Sequence, residues 1–389
     1  MSTFELGPDD DPGAELSIRR GEVQLVGVFD VADEADLTEV EDIVARRHAE
    51  EASPRRRLSL ERQPEAIAFT NPPVTVRLDD RRLAVGGAVR PVQVRARFYD
   101  FGAVAIRWSI AIPDGMSLAE LADWSAELET LDVRAAVTHG LADDVDRAVT
   151  TYESALRTPW HRRPVEVLTV HVVSEFDRPV RGEELAELPV LAQLVVGDRN
   201  VLSQQLRTSL RSSTIAYGES DLVVLSYDQA FVFDSHSAED VSALLEFAVA
   251  QVLELGFYDD LLDGRLAAIA AGVRAPRRRT RPLGLGPSSF ELLRREVLLQ
   301  HVDLVQVLER VTGAVKVTDD FHYARIYRAA MRVFRAEELV AATDRKLDLV
   351  FRTYTMLADE VDSHVAHRLE WIIIVLIMIE LVLGLADRL

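Results

Sequence analysis

The chain has 389 residues, of which 48% are hydrophobic and 28% charged, enough for a folded protein with a core spread over about two or three domains. It contains no cysteine, which excludes disulfides, thiolate nucleophiles and cysteine-ligated zinc or iron–sulfur centres. A net charge of -20 repels phosphate backbones, so a broad nucleic-acid interface is disfavoured.

Residues 1–20 read as a disordered acidic leader, with Gly7, Pro8 and Gly13 among its acids. Its opening, MSTFELGPDDDPGAEL (1–16), has neither the apolar region of a signal peptide nor the arginines of a transit peptide. Residues 21–71 read as a short extension: a strand at EVQLVGVFD (22–30), a charged helix over 35–50 and a loop at ASPRRRLSLERQP (52–64).

An α+β domain is expected over 72–235. VTVRL (74–78) and RLAVGG (82–87) alternate like a hairpin around Asp79 and Asp80. In VQVRARFYDFGAVAIRWSI (92–110), Asp100-Phe101-Gly102 marks a turn. Val104, Ile106 and Trp108 share one face of the returning strand, and Arg107 points to the other. Over 117–129, Leu118, Leu121, Trp124 and Leu128 recur at helical spacing behind a Ser117/Glu120 capping box. VEVLTVHVVSEF (165–176) is a strand, and 189–196 and 200–213 are helices broken at Gly197-Asp198. DLVVLSYDQAFVFD (221–234) is a second hairpin around Tyr227, Asp228 and Gln229. The pattern gives strands without their order in a sheet.

A helical domain follows over 236–368. One helix runs from Ser237 to about residue 271, and GVRAPRRRTRPLGLGP (272–287) is a basic linker. Ser288 with Glu291 caps the next helix, 289–312. From Gly313 to Gly384 there is no intervening glycine or proline. Leu347, Val350, Tyr354, Leu357 and Val361 step by three and four, a coiled-coil-like seam. It shifts through Val365 and Leu369 and resumes at Ile372, Leu376, Ile379 and Leu383.

From Trp371 the pattern becomes apolar nearly all round, which suits a membrane or a deep core. Trp371 to Ala386 spans roughly 24 Å as a helix, short of a hydrocarbon layer of about 30 Å. Glu380 inside it costs on the order of 3 kcal/mol, and each Ile, Val or Leu returns roughly 0.3–0.6 kcal/mol. The sum favours a transmembrane helix over 369–386, with Trp371 as an interfacial anchor and Glu380 seeking a partner helix. The competing reading is a hydrophobic tail helix buried in an oligomer.

Three stretches resemble the family named "required for meiotic nuclear division", also called the YagE family, a domain of unknown function. They are Phe98-Tyr99-Asp100-Phe101-Gly102 with the strand to Trp108, the block from Val315 to Phe334, and Leu369-Glu370-Trp371-Ile372-Ile373-Ile374 with Leu376 to Glu380. The resemblance covers about 90–389. It implies a mixed first part, a helical second part and a terminal membrane helix, and it supplies no catalytic residues.

Other chemistry is sparse. Glu360, His364 and His367 fall at i, i+4 and i+7, a face that can ligate zinc or iron with help from a neighbour; solvated helix faces carry such trios too. Asp319, Asp320 and His322 suit a helix start better than a cation site. Arg277, Arg278, Arg279 and Arg281 suit anionic lipid headgroups or a charge-solubilised linker, and they lack the interleaved aromatics of an RNA site. Gly284-Leu285-Gly286 has no lysine after it and is no phosphate loop, and no cofactor is expected.

The combined expectation is an α+β fold with an all-helical region behind it. It is a non-enzymatic scaffold or interaction protein, single-pass in the cell membrane, with its body in the cytoplasm. Its partners are membrane lipid and a second copy or another protein, reached through the C-terminal helix. The alternative is a metal- or ligand-binding protein, possible enzymes included, with a pocket between the α+β and helical domains.

Overall fold

The computed structural model describes residues 16–50, 67, 69, 71–159, 165–274, 318, 320–350, and 352, 353, 356, 374, 377 and 378. The strands are β1 (Ser17–Asp30), β2 (Glu34–Ala35), β3 (Val74–Arg77), β4 (Arg81–Val85), β5 (Ala88–Phe98), β6 (Ala103–Ala111), β7 (Met116–Ser117), β8 (Leu156–Arg157), β9 (Val165–Phe176), β10 (Thr214–Ile215), β11 (Asp221–Leu225) and β12 (Gln229–Asp234). The helices are α1 (Leu37–Glu50), α2 (Leu118–Leu128), α3 (Leu131–Thr151), α4 (Gly182–Glu187), α5 (Pro189–Val196), α6 (Gln204–Ser212), α7 (Ala238–Arg274) and α8 (Phe321–Val333), and residues 336–350 are largely helical as well.

A mixed α+β region is thus followed by an all-helical one among the described residues. The chain divides into two compact units, Met1–Phe257 with Glu309–Glu337, and Tyr258–Leu308 with Glu338–Leu389.

The first unit is built on one sheet in the order β10-β11-β12-β9-β1-β6-β5-β3, with β4 beside β5 and β7 beside β1. Only the β12–β9 pairing is parallel; the others in this sheet are antiparallel. β1 is hydrogen-bonded to β6 on one side and β9 on the other. The stretch read as leader plus extension therefore supplies a central strand, and that strand begins at Ser17.

Alternation along the strands gives the sheet two distinct faces. Val23, Leu25 and Phe29 of β1 and Val104, Ile106, Trp108 and Ile110 of β6 lie on the first. That face packs against Leu118, Leu121 and Trp124 of α2, Leu141 and Val145 of α3, and Leu191 and Leu194 of α5. Each fully buried aromatic there, Phe29 and Phe98 among them, contributes about 1.5–3 kcal/mol of transfer free energy. On the second face Gln24, Val26 and Val28 of β1 lie beside Ser109 and Arg107 of β6, with Arg97 of β5 beyond them, all buried, and side chains of α7 meet Gln24, Arg97 and Arg107. Because both faces are covered, β6 is buried at eight consecutive positions rather than at alternate ones.

Several local expectations match these elements. The Ser117/Glu120 capping box is formed in both directions at the start of α2. Asp320 caps α8, accepting from the backbone N–H groups of His322 and Tyr323. Gly102 sits at φ +87 in the β5–β6 turn, where an added Cβ would lie 1.8 Å from the Ala32 carbonyl oxygen. One hairpin is corrected. β3 and β4 do not pair with each other; both pair with β5, at Arg95–Phe98 and Ala88–Val92 respectively. The turn that joins β4 to β5 is Gly86-Gly87, at φ +60 and +68, a backbone that suits a two-residue hairpin. Asp79 and Asp80 instead bridge two strands that share a partner. α3 is an element the sequence reading passed over.

In the second unit, Lys346 Nζ lies 2.8 Å from Asp259 Oδ1 and 2.7 Å from Asp263 Oδ2. Leu262, Leu347 and Val350 are buried.

Candidate functional site

The densest polar constellation lies on the second face of the sheet. Ala96 and Phe98 of β5 point into the first core, so Arg97 and Tyr99 point away from it, as Arg107 does from β6. α7 presents Glu239, Ser242 and Glu246, spaced by three and four, to the same face.

The Glu246 carboxylate collects four donors. Arg97 Nη1 lies 3.0 Å and Tyr99 Oη 2.9 Å from Oε1. Arg107 Nε and Nη2 lie 3.0 and 2.5 Å from Oε2. The remaining Arg107 nitrogen, Nη1, reaches Glu239 at 2.5 Å, and Arg97 Nε donates to Thr75 Oγ1 at 3.0 Å. Arg97, Arg107 and Glu246 are buried, whereas the Glu239 side chain is 55% exposed.

Burial pushes the Glu246 pKa up, and Arg107 and Arg97 more than reverse that push, so the carboxyl sits below its ordinary 4.5. Burial lowers the Arg107 pKa, and Glu246 and Glu239 lift it above its usual range. Burial, then Glu246, raises Tyr99 well above the ordinary phenol value. The cluster is thus an ionised, hydrogen-bonded lock between helix and sheet. Its groups are too enclosed to exchange protons with a substrate in solution.

Gln24 takes part beside it, accepting from Ser242 Oγ. Ala238–Ala267 of α7 is the one helix among the described residues long and apolar enough to cross a membrane, and 72% of its apolar stretch is buried within the protein. Leaving that position would strip Glu246 from two arginines and a tyrosine. A buried ion pair deprived of one partner costs about 3–5 kcal/mol.

The first face carries two further polar knots. Asp144 of α3, fully buried, accepts from Trp108 Nε1 at 2.8 Å, from Arg81 Nε at 2.9 Å, and from Arg147. Near α2, Ser125 Oγ lies 2.9 Å and His171 Nε2 3.3 Å from Gln229 Oε1. Burial drives the His171 pKa down to about 4, with Gln229 offsetting only part, so the imidazole is neutral at ordinary pH. Being fully buried, it has no route to an external substrate. Arg134 ties Glu129 to Asp228 at the rim of this region.

An open groove of about 520 Å³ lies elsewhere, lined by Leu16, Val180, Leu188 and Pro189 with Glu183 and Glu184 among its rim residues. Among the described residues no group of three His, Asp or Glu side chains is placed to hold a metal ion.

The residues singled out in the sequence are not brought into any of these places. Trp371 and Glu380, Arg277, Arg278, Arg279 and Arg281, and Glu360, His364 and His367 all lie outside the described residues. Within the terminal apolar segment Ile374, Ile377 and Met378 are described; they are helical and 50, 53 and 61% exposed. Sequence reasoning placed Arg107 on the far side of β6 but missed the cluster it belongs to. The available signal was Glu246, an acid inside the apolar run VSALLEFAVAQ.

Comparison with known proteins supplies a family. The model described as "Uncharacterized protein MJ0711, N-terminal domain" matches residues 20–239, more than half of the chain. The curated protein called "Uncharacterized protein MJ0711", from Methanocaldococcus jannaschii, is 23% identical over 224 residues, 57% of this chain and 66% of its own length. This chain therefore matches just under two thirds of that relative. No solved structure matches.

These matches overturn the resemblance to the meiotic nuclear division (YagE) family. The family match includes residues 20–90, which that resemblance left uncovered, and it stops before the apolar terminal stretch on which the resemblance chiefly rested. The chain belongs to the MJ0711 N-terminal domain family.

Proposed function

We propose that the protein is a membrane-tethered, non-enzymatic scaffold, with the α+β unit as its working head and residues 369–386 as its tether. The observation that carries this reading is the exposure of Ile374, Ile377 and Met378 on helical backbone. They fall at i, i+3 and i+4, one apolar stripe that lipid or a partner helix would cover. The ionic lock on Glu246 supports the choice of this segment over α7, because it commits the first half of α7 to the core. Glu380, a lone acid in an apolar run, favours association with a second copy in the bilayer. The main body is then cytoplasmic.

Fractionation of cells expressing the full chain and a version ending at Arg368 tests the tether. The full chain stays in the membrane pellet after a carbonate wash, and the shortened chain moves to the supernatant. Release of both, or retention of both, refutes it. Crosslinking of the two versions tests assembly: oligomers that vanish on truncation support it, and monomer in both cases refutes it.

A further inference from the structure

We propose that the sheet carries a carboxylate-binding site made by Arg97, Tyr99 and Arg107, and that α7 holds it closed by inserting Glu246 as an internal ligand. This inference is independent of the membrane tether.

Three features point to it. Arg97 and Arg107 come from two adjacent strands, β5 and β6, and Tyr99 directly follows β5; the strands are paired from Gln93–Ser109 to Phe98–Val104 and backed on the first face by α2 and α3. Their positions are therefore set by the sheet rather than by the helix that brings the acid. Next, the donors match a planar carboxylate: Arg97 and Tyr99 share Oε1, and Arg107 addresses Oε2 through two nitrogens. Finally, two buried guanidinium groups face a single buried carboxylate, and the second acid, Glu239, sits at the exposed rim. With the position of Glu246 vacant, the two buried guanidinium groups keep only the half-exposed Glu239 to offset them, an uncompensated buried charge that an anion relieves. Docking of α7 and binding of an external carboxylate are then mutually exclusive, the logic of an autoinhibitory contact.

The test uses the full chain in detergent and three anions, formate, phosphate and chloride, at equal ionic strength. In Glu246→Ala, formate raises the Tm by about 2 °C or more for each tenfold increase in concentration above its Kd. Wild type lacks this gain, and so does the Glu246→Ala/Arg107→Met double variant. No formate effect beyond chloride, or an equal effect in the double variant, overturns the site. Phosphate acting as strongly as formate overturns its assignment to carboxylates. Should Glu246→Ala fail to fold, hydrogen exchange of wild type decides. In about 1 M formate the amides of 238–249 exchange at least about twofold faster than in chloride. Equal rates overturn the proposal.

Discussion

The indole Nε1 of Trp108 on β6 donates to the carboxylate of Asp144 on α3 at 2.8 Å, and both residues are buried. Arg81, from β4 on the other side of β5, reaches the same carboxylate and places its guanidinium 5.5 Å from the Trp108 ring centre. One acid thus fastens a helix to two strands. Asp144→Leu leaves Arg81 and the indole without their acceptor and is expected to cost about 3–5 kcal/mol. Asp144→Asn keeps an acceptor and costs about 1–3 kcal/mol. Urea denaturation followed by tryptophan fluorescence measures both, and a Leu variant as stable as wild type contradicts the assignment.

Glu246 ties stability to acid pH. Its carboxyl is depressed below 4.5 in the fold, so its contribution is fully present above that value. The contribution is lost as pH falls through the lower folded pKa. Glu246→Gln is less stable than wild type at neutral pH by about 3–5 kcal/mol. Its stability also falls less steeply below pH 4.5. Parallel slopes in the two proteins, read from denaturation at stepped pH, exclude the lock as the source.

His171 acts in a different window. The fold keeps it neutral down to about pH 4, whereas an ordinary imidazole titrates at 6.5. Between those values the unfolded chain takes up a proton that the folded chain refuses, so stability falls as pH drops from 6.5 towards 4. The effect is on the order of 3 kcal/mol if the whole shift is realised. His171→Leu flattens stability across this window, and NMR titration of the imidazole carbons in wild type shows no transition near 6.5.

Gly102 is the hairpin position least open to substitution. Alanine there combines a left-handed backbone with a Cβ 1.8 Å from the Ala32 carbonyl oxygen. Gly102→Ala is expected to lose about 2 kcal/mol or more, since the neighbour is backbone and cannot rotate aside. Gly87→Ala meets nothing within 4 Å and suffers only the strain of its positive φ. A thermal melt of the pair ranks them.

Local signals carried well because they depend on neighbours in sequence. The Ser117/Glu120 box, the Asp320 cap and the Gly102 turn are each satisfied within a few residues. The β3–β4 hairpin failed for the opposite reason. Two short alternating runs around paired aspartates look self-complementary, but each found a better partner in the long strand β5. The metal-ligating face read at Glu360, His364 and His367 lies outside the described residues; periodicity gives such a face without saying what meets it.

Composition and period by themselves determined that this chain folds, that it has a mixed region before a helical one, and that its apolar residues gather into two runs, one around 241–257 and one at 371–386. Only the tertiary structure decided which strands are neighbours, that β1 lies inside the sheet, and that the first apolar run is a core helix. The reason is that Glu246, Arg97 and Arg107 are separated by 139 residues or more from helix to strand. Each is an unfavourable buried charge alone, and the three become stable together only where the sheet brings them within hydrogen-bonding distance.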